Sequence, residues 1–282
     1  MDFPTWAAPR RAAFDAYLED RFLDAWPTSF ASPLRYALFG GGKRFRPLMV
    51  FAAYEALADQ PDDLSPALPL AAAIELVHTY SLVHDDLPSM DDDDERRGRP
   101  TLHKKWDEAM AILVGDALLT EAFLLVTEAP LSDHICRDVT RRLSGAAGYR
   151  GMVGGQVADI QWSQSDWGMD ELLRLHAMKT GALITFAAEA GALAAGATDD
   201  QVNTLSAIGK AVGLAFQLAD DVLDEEEDAG AEGPPSFLKF RDRTTTLNHA
   251  QEVISGAIEQ AATLPRPDAL VGLAQFCISR SH

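Results

Sequence analysis

An apolar run that ends in a wall of aspartates constrains this chain more than any other stretch. Ala71-Ala72-Ala73-Ile74-Glu75-Leu76-Val77 continues through Leu82 and Val83 and meets His84-Asp85-Asp86-Leu87-Pro88-Ser89-Met90-Asp91-Asp92-Asp93-Asp94-Glu95. The run predicts a buried helix, and Pro88 predicts its end or a kink. The acids then fall at a helix carboxyl end, where the backbone dipole already presents partial negative charge. Neighbouring carboxylates repel by roughly 1 to 4 kcal/mol at ~4 Å, depending on local dielectric. Stability alone favours Lys or Arg here, so the acids imply a cation held at this tip.

The same pattern recurs where Ala215-Phe216-Gln217-Leu218-Ala219 leads into Asp220-Asp221-Val222-Leu223-Asp224. On a helix, Asp220 and Asp224 lie one turn apart on one face, with Asp221 beside Asp224. One acidic run alone reads as a solvated helix end. Two, each closing an apolar helix, read as a metal site. Oxygen-only donors with no Cys and no His pair suit a hard ion, so Mg²⁺ is favoured over Zn²⁺.

Composition narrows the rest. The chain has 282 residues with 47% apolar content, and β-branched alternation is missing, which predicts helices rather than strands. A formal charge of −19 argues against nucleic acid or an anionic membrane surface as partner. Cys136 and Cys277 are isolated, giving neither a metal spacing nor a disulfide framework, which fits a reducing cytosol. No signal peptide is expected from Met1-Asp2-Phe3-Pro4, and no membrane anchor from any uninterrupted apolar run. These features predict a cytoplasmic protein.

Along the chain, helices are expected over Pro9 to Ala25, Ser32 to Phe39 and Leu48 to Ala58, then up to the first acids, and over Trp106 to Glu128. Ser132 and Thr198 are predicted N-caps, and Met169 to Ala195 reads as one long helix. Pro265-Arg266-Pro267 interrupts the helical end of the chain. With no repeat and no linker, residues 1–282 are expected to form a single all-α domain, a bundle of roughly ten helices around a central cavity.

Several motifs invite other chemistry. Gly41-Gly42-Lys43 is no P-loop, because Arg44 follows the lysine and no strand precedes it. It reads instead as a basic turn in which Lys43 and Arg46 hold phosphate oxygens, or as a solvated one. Arg96 and Arg97 either neutralise the preceding acids or complete a phosphate site. Glu75-Leu76-Val77-His78 matches the Glu-x-x-His of di-iron bundles, but the required second copy is missing. An EF-hand starting at Asp93 fails because Arg97 and Lys104 occupy ligand positions. Lys179-Thr180 inside an apolar helix is otherwise explained as a snorkelling lysine, and Gln217 as a core amide.

Taken together, these residues resemble the trans-isoprenyl diphosphate synthases, most closely bacterial farnesyl diphosphate synthases (geranyltranstransferases). Asp85, Asp86 and Asp91 match the family's first aspartate motif, with His78 to His84 and Arg96 to Thr101 matching its flanks. Asp220, Asp221 and Asp224, preceded by Phe216-Gln217, match the second. Gly41 to Pro47, Gly154-Gly155-Gln156 and Lys179-Thr180-Gly181-Ala182 follow in family order. The resemblance implies an isoprenoid synthase fold, a homodimer, and Mg²⁺, as a set of three ions, bound by the six aspartates together with substrate diphosphate. It implies that Lys43, Arg46, His78 and Arg97 hold isopentenyl diphosphate, and that Arg96 and Lys179 hold the allylic diphosphate. Thr180, Gln217 and the Lys179 carbonyl would stabilise an allylic cation. Tyr80, with Ser81 beside it, would floor the chain-length pocket and give mainly farnesyl diphosphate. Geranylgeranyl or geranyl diphosphate synthesis and a non-catalytic subunit are the alternatives.

The chain departs from the family after Asp224. Glu225-Glu226-Glu227-Asp228 leads through a shortened loop to Gly233-Pro234-Pro235-Ser236-Phe237, with Pro234 where a lysine is usual and Lys239 as the next base. A class I terpene cyclase would need Ser/Thr and Glu where Asp224 and Asp228 stand.

Overall fold

The computed structural model describes residues 2–22, 27–223 and 235–279. Asp224 and the acidic loop up to Pro234 lie outside the described residues. The fold is all-α. Its helices are α1 Phe3–Arg21, α2 Thr28–Leu38, α3 Phe45–Leu57, α4 Leu68–Asp85, the single turn α5 Leu102–Lys105, α6 Glu108–Glu128 and α7 Asp133–Ala147. They continue as α8 Met152–Gln161, α9 Met169–His176, α10 Ala182–Ala194, α11 Asp199–Leu223, and, in our numbering, α12 Arg243–Ala261 and α13 Asp268–Ser279.

Burial explains the architecture. Every residue of α4 from Pro69 to Val77 is buried, so this helix runs through the middle of the bundle. It packs on α6 along one side and on α3 and α10 along others, while α11 packs between α10 and α12. Small residues make these crossings close. A Cβ on Gly191 of α10 would sit 2.2 Å from the Val50 carbonyl oxygen of α3, so only glycine fits there. The sequence-predicted caps form. Ser132 accepts from the Ile135 amide, and Thr198 and Gln201 make a reciprocal capping box.

Three expectations change. First, α1 starts at Phe3 rather than Pro9, because Asp2 caps it and Pro4 suits a first turn. Second, the helix expected over Met169 to Ala195 is divided at Ala177–Gly181 by a π-turn. Third, a two-residue hairpin pairs Glu95 with Pro100 and Arg96 with Arg99. Its turn residues Arg97 and Gly98 have φ of 54° and 70°, the left-handed pair that a tight hairpin needs. Helix α6 is also long and apolar enough to cross a bilayer by length and composition, although it packs against α4 inside this fold.

Candidate active site

The acidic tip of α4 borders an interior space, and Asp220 near the end of α11 acts on that space through Arg46. Asp85 is the last residue of α4, and the loop beyond it folds back so that the Asp91 amide donates to the Asp85 carbonyl at 2.9 Å. Asp85 is partly buried, and burial pushes its carboxyl up to about 6, with Asp91 and Asp86 adding and Lys179 opposing. Burial raises Asp91 and Asp86 as well. Burial makes these carboxylates costly to ionise, a cost that a bound cation would offset. Asp220, on the opposite tip, is close enough for its charge to act on the Arg46 guanidinium, and Arg46 lines the same cavity as Asp85.

The space divides into two adjoining cavities. One, of about 380 Å³, is walled by Tyr80, Ser81, Asp85 and Lys179 on one side and by Met152 and Val157 of α8 on the other. The second, of about 620 Å³, is lined by Lys43, Arg46, His78, Arg97 and Phe216. Arg46, His78 and Thr180 belong to both, so they form the junction. The first cavity joins carboxylates to an apolar wall. The second is cationic.

The cationic side is built by two left-handed turns. Arg44, at φ 52°, starts α3, and Arg97, at φ 54°, turns the hairpin. The Arg97 guanidinium donates to the Gly41 carbonyl, tying the glycine turn to the hairpin. Each such residue is strained, and such strain gathers at functional sites. Asp92, also left-handed at φ 54°, sits in the acidic loop. Burial lowers Arg46 to about 10. Burial first, then the charges of Arg46, Arg97, Arg96 and Arg44, hold His78 well below the ordinary imidazole value, so it is neutral at pH 7. Glu75 is consumed by Arg44, at 2.9 Å in a buried pair, which removes the Glu-x-x-His reading.

Some predicted residues already have partners. Arg96 pairs with the buried Asp86 and, at 3.3 Å, with Asp93, so in the free protein it neutralises the acids. Lys179 pairs with Asp159 of α8. Sequence reasoning misses Asp159 as part of the site; its position three residues after Gln156 is the available signal. Val153, Val157 and Ile160, spaced by four and three on α8, are the missed signal for the apolar wall. Gly155 is fixed by the same contact: a Cβ there would lie 2.3 Å from the Lys179 amide nitrogen. The glycine string thus seats α8 against the π-turn that presents Lys179 and Thr180, a common functional use of such turns. Thr180 donates to the Gln217 Oε1 at 3.2 Å, and Gln217 Nε2 donates to Asp221 at 2.8 Å.

The polyprenyl synthetase family pattern matches residues 27–260. This chain belongs to that family. It is 44% identical over 204 residues to the farnesyl diphosphate synthase of Bacillus subtilis, covering 71% of this chain and 68% of the relative. The crystal structure of an FPP/GFPP synthase from Zymomonas mobilis superposes with a TM-score of 0.89 at 34% identity, covering 98% of this chain and 99% of that one. A geranyltransferase from Helicobacter pylori, solved in complex with magnesium and isoprenyl diphosphate, gives 0.84 at 31% identity over 97% and 95% of the two chains. The enzyme is therefore a trans-prenyltransferase.

The donor set fits Mg²⁺. Its donors are carboxylate oxygens, Asp85, Asp86 and Asp91 of the first motif among them, with no thiolate or imidazole pair. A hard ion that takes oxygen donors and completes its shell with water or phosphate oxygens suits that donor type.

Proposed function

We propose that this enzyme is a Mg²⁺-dependent farnesyl diphosphate synthase that joins isopentenyl diphosphate to dimethylallyl and then geranyl diphosphate. The observation that carries the proposal is the junction of two cavities of opposite character. A substrate with a long apolar tail and a metal-bound diphosphate suits the first, against Met152 and Val157. A short substrate whose diphosphate is held directly by cations suits the second, at Lys43, Arg46 and Arg97.

Asp85, Asp86 and Asp91 after α4 and Asp220 near the end of α11, with Asp224 of the same sequence motif, would hold Mg²⁺. When bound, Mg²⁺ neutralises the allylic diphosphate as a leaving group. Arg96 and Lys179 exchange their carboxylate partners for phosphate oxygens, and this delivers positive charge where the bridging oxygen departs. The C–O bond breaks with its electron pair on the diphosphate. Thr180 Oγ1, the Gln217 carbonyl and the Lys179 carbonyl turn negative dipole ends toward the allylic cation. Neutral His78 contributes an N–H donor to isopentenyl diphosphate, whose double bond attacks the cation. The resulting tertiary cation loses a proton to the departed diphosphate.

Tyr80 sets the length. Its buried ring stands edge-on to His84, 5.8 Å between centroids, at the wall of the apolar cavity. A second copy of the chain is proposed to cover α6, which exposes Ile112, Leu113 and Leu124 beside a groove lined by Phe30 and Met110. A cytoplasmic location goes with this reading. Purified protein incubated with isopentenyl and geranyl diphosphates, with product length read by chromatography, tests it. A main product other than the fifteen-carbon diphosphate refutes the length assignment, and sedimentation as a monomer refutes the dimer.

A further inference from the structure

We infer that Asp221 is a positioning residue rather than a metal ligand: it orients the Gln217 amide and fastens the returning Ser236-Phe237 segment to the end of α11. The inference rests on the prenyl-transfer reading of the site and assigns one of its aspartates a different task. Asp221 is only 3% exposed, whereas its neighbour Asp220 keeps the more accessible position at the tip. Both Asp221 oxygens accept from protein donors. Gln217 Nε2 donates to Oδ1 at 2.8 Å, and the Phe237 amide donates to Oδ2 at 2.7 Å.

With Oδ2 taking the Phe237 N–H and Oδ1 taking Gln217 Nε2, the amide nitrogen of Gln217 faces Asp221. The amide oxygen is thereby turned to Thr180 Oγ1, at 3.2 Å, on the cavity side. This spacing of four residues on one helix is the one at which Gln and Asp side chains meet. The contacts close into a ring. The Phe237 ring lies tilted against His176 with centroids 5.1 Å apart, and His176 is the residue before the π-turn that carries Lys179 and Thr180. Asp221 therefore fixes the sign of the dipole presented to the reacting carbons. Flipped, the amide would aim its positive end at a cation.

An exchange of functional groups tests this. In Asp221→Asn, the new side-chain NH₂ forces the Gln217 amide over. In the pair Gln217→Glu with Asp221→Asn, the side-chain NH₂ introduced at position 221 donates to the carboxylate introduced at position 217. That carboxylate accepts from Thr180 as the amide oxygen did, at unchanged net charge. The single variant is expected to lower the Tm of metal-free protein and to lower kcat on the order of tenfold to a hundredfold. Mn²⁺ binding, read by electron paramagnetic resonance with an unreactive thiolo-diphosphate analogue, should stay within about twofold of wild type. The exchanged pair should recover Tm and most of kcat. A drop in Mn²⁺ affinity of about tenfold or more in Asp221→Asn, or a pair as unstable as the single variant, overturns the inference. Inactive wild-type protein would instead sink the prenyl-transfer reading, while the Tm and Mn²⁺ comparisons would still decide the role of Asp221.

Discussion

Replacing Asp85 by asparagine should stabilise the metal-free protein while removing its activity. Burial holds the Asp85 carboxyl at about 6 against an ordinary value of 3.8. Between those two pH values the folded state keeps a proton that the unfolded chain has lost. Native protein then binds more protons, so stability falls as pH rises through this window. That difference sets a ceiling of about 3 kcal/mol. Partial exposure and solvent screening reduce the expected effect to about 1 to 2 kcal/mol. Asparagine fills the same space without a charge. Urea unfolding in EDTA, from pH 4 to 8, should give coincident stabilities near pH 4. The curves should separate up to about pH 6 and then run parallel, with Asp85→Asn more stable. At pH 7 its Tm should be about 3 °C higher. A variant no more stable than wild type at pH 7, or a gap independent of pH, refutes the idea that this helix tip is destabilised for a cation.

Other outcomes follow from the same geometry. Tyr80→Ala opens the wall beside His84 and should lengthen the product, as read by chromatography of the dephosphorylated alcohols; an unchanged product refutes Tyr80 as the floor. Gly155→Ala drives a methyl group to 2.3 Å from the Lys179 amide, so it should displace the π-turn and lower kcat more than it raises the KM for isopentenyl diphosphate. Steady-state kinetics showing wild-type turnover would remove the positioning role of this contact. Arg46→Met deletes a charge at the cavity junction and should raise the KM for isopentenyl diphosphate by about tenfold to a hundredfold, consistent with a charged hydrogen bond worth about 1.5 to 3 kcal/mol.

Much of this site was legible because its residues break local rules. Acids at the tip of α4 and bases beside a glycine turn are poor choices for stability, and the folded chain brings Asp85, Lys43, Arg46, His78 and Arg97 around one space. What sequence could not supply were pairings made across the fold. Asp159 on α8 looks like any helix acid until Lys179 arrives from the π-turn. Glu75 resembles a metal ligand until Arg44 reaches it from the start of α3. The π-turn itself leaves no periodic trace, since Met169 to Ala195 keeps a helical pattern while seating Gly155 against Lys179. Asp220 and Asp221 read alike in a motif, yet one lies at the accessible tip and the other faces inward to Gln217 and Phe237.

The most direct test is turnover by the purified protein alone, supplied with isopentenyl and geranyl diphosphates, with Mg²⁺ and again with EDTA. Formation of farnesyl diphosphate with Mg²⁺, abolished by EDTA and restored when the metal is returned, is the predicted result. No condensation product with metal present, or hydrocarbon released from farnesyl diphosphate alone, would contradict a site in which two carboxylate-tipped helices bring an allylic diphosphate to a cation-held partner.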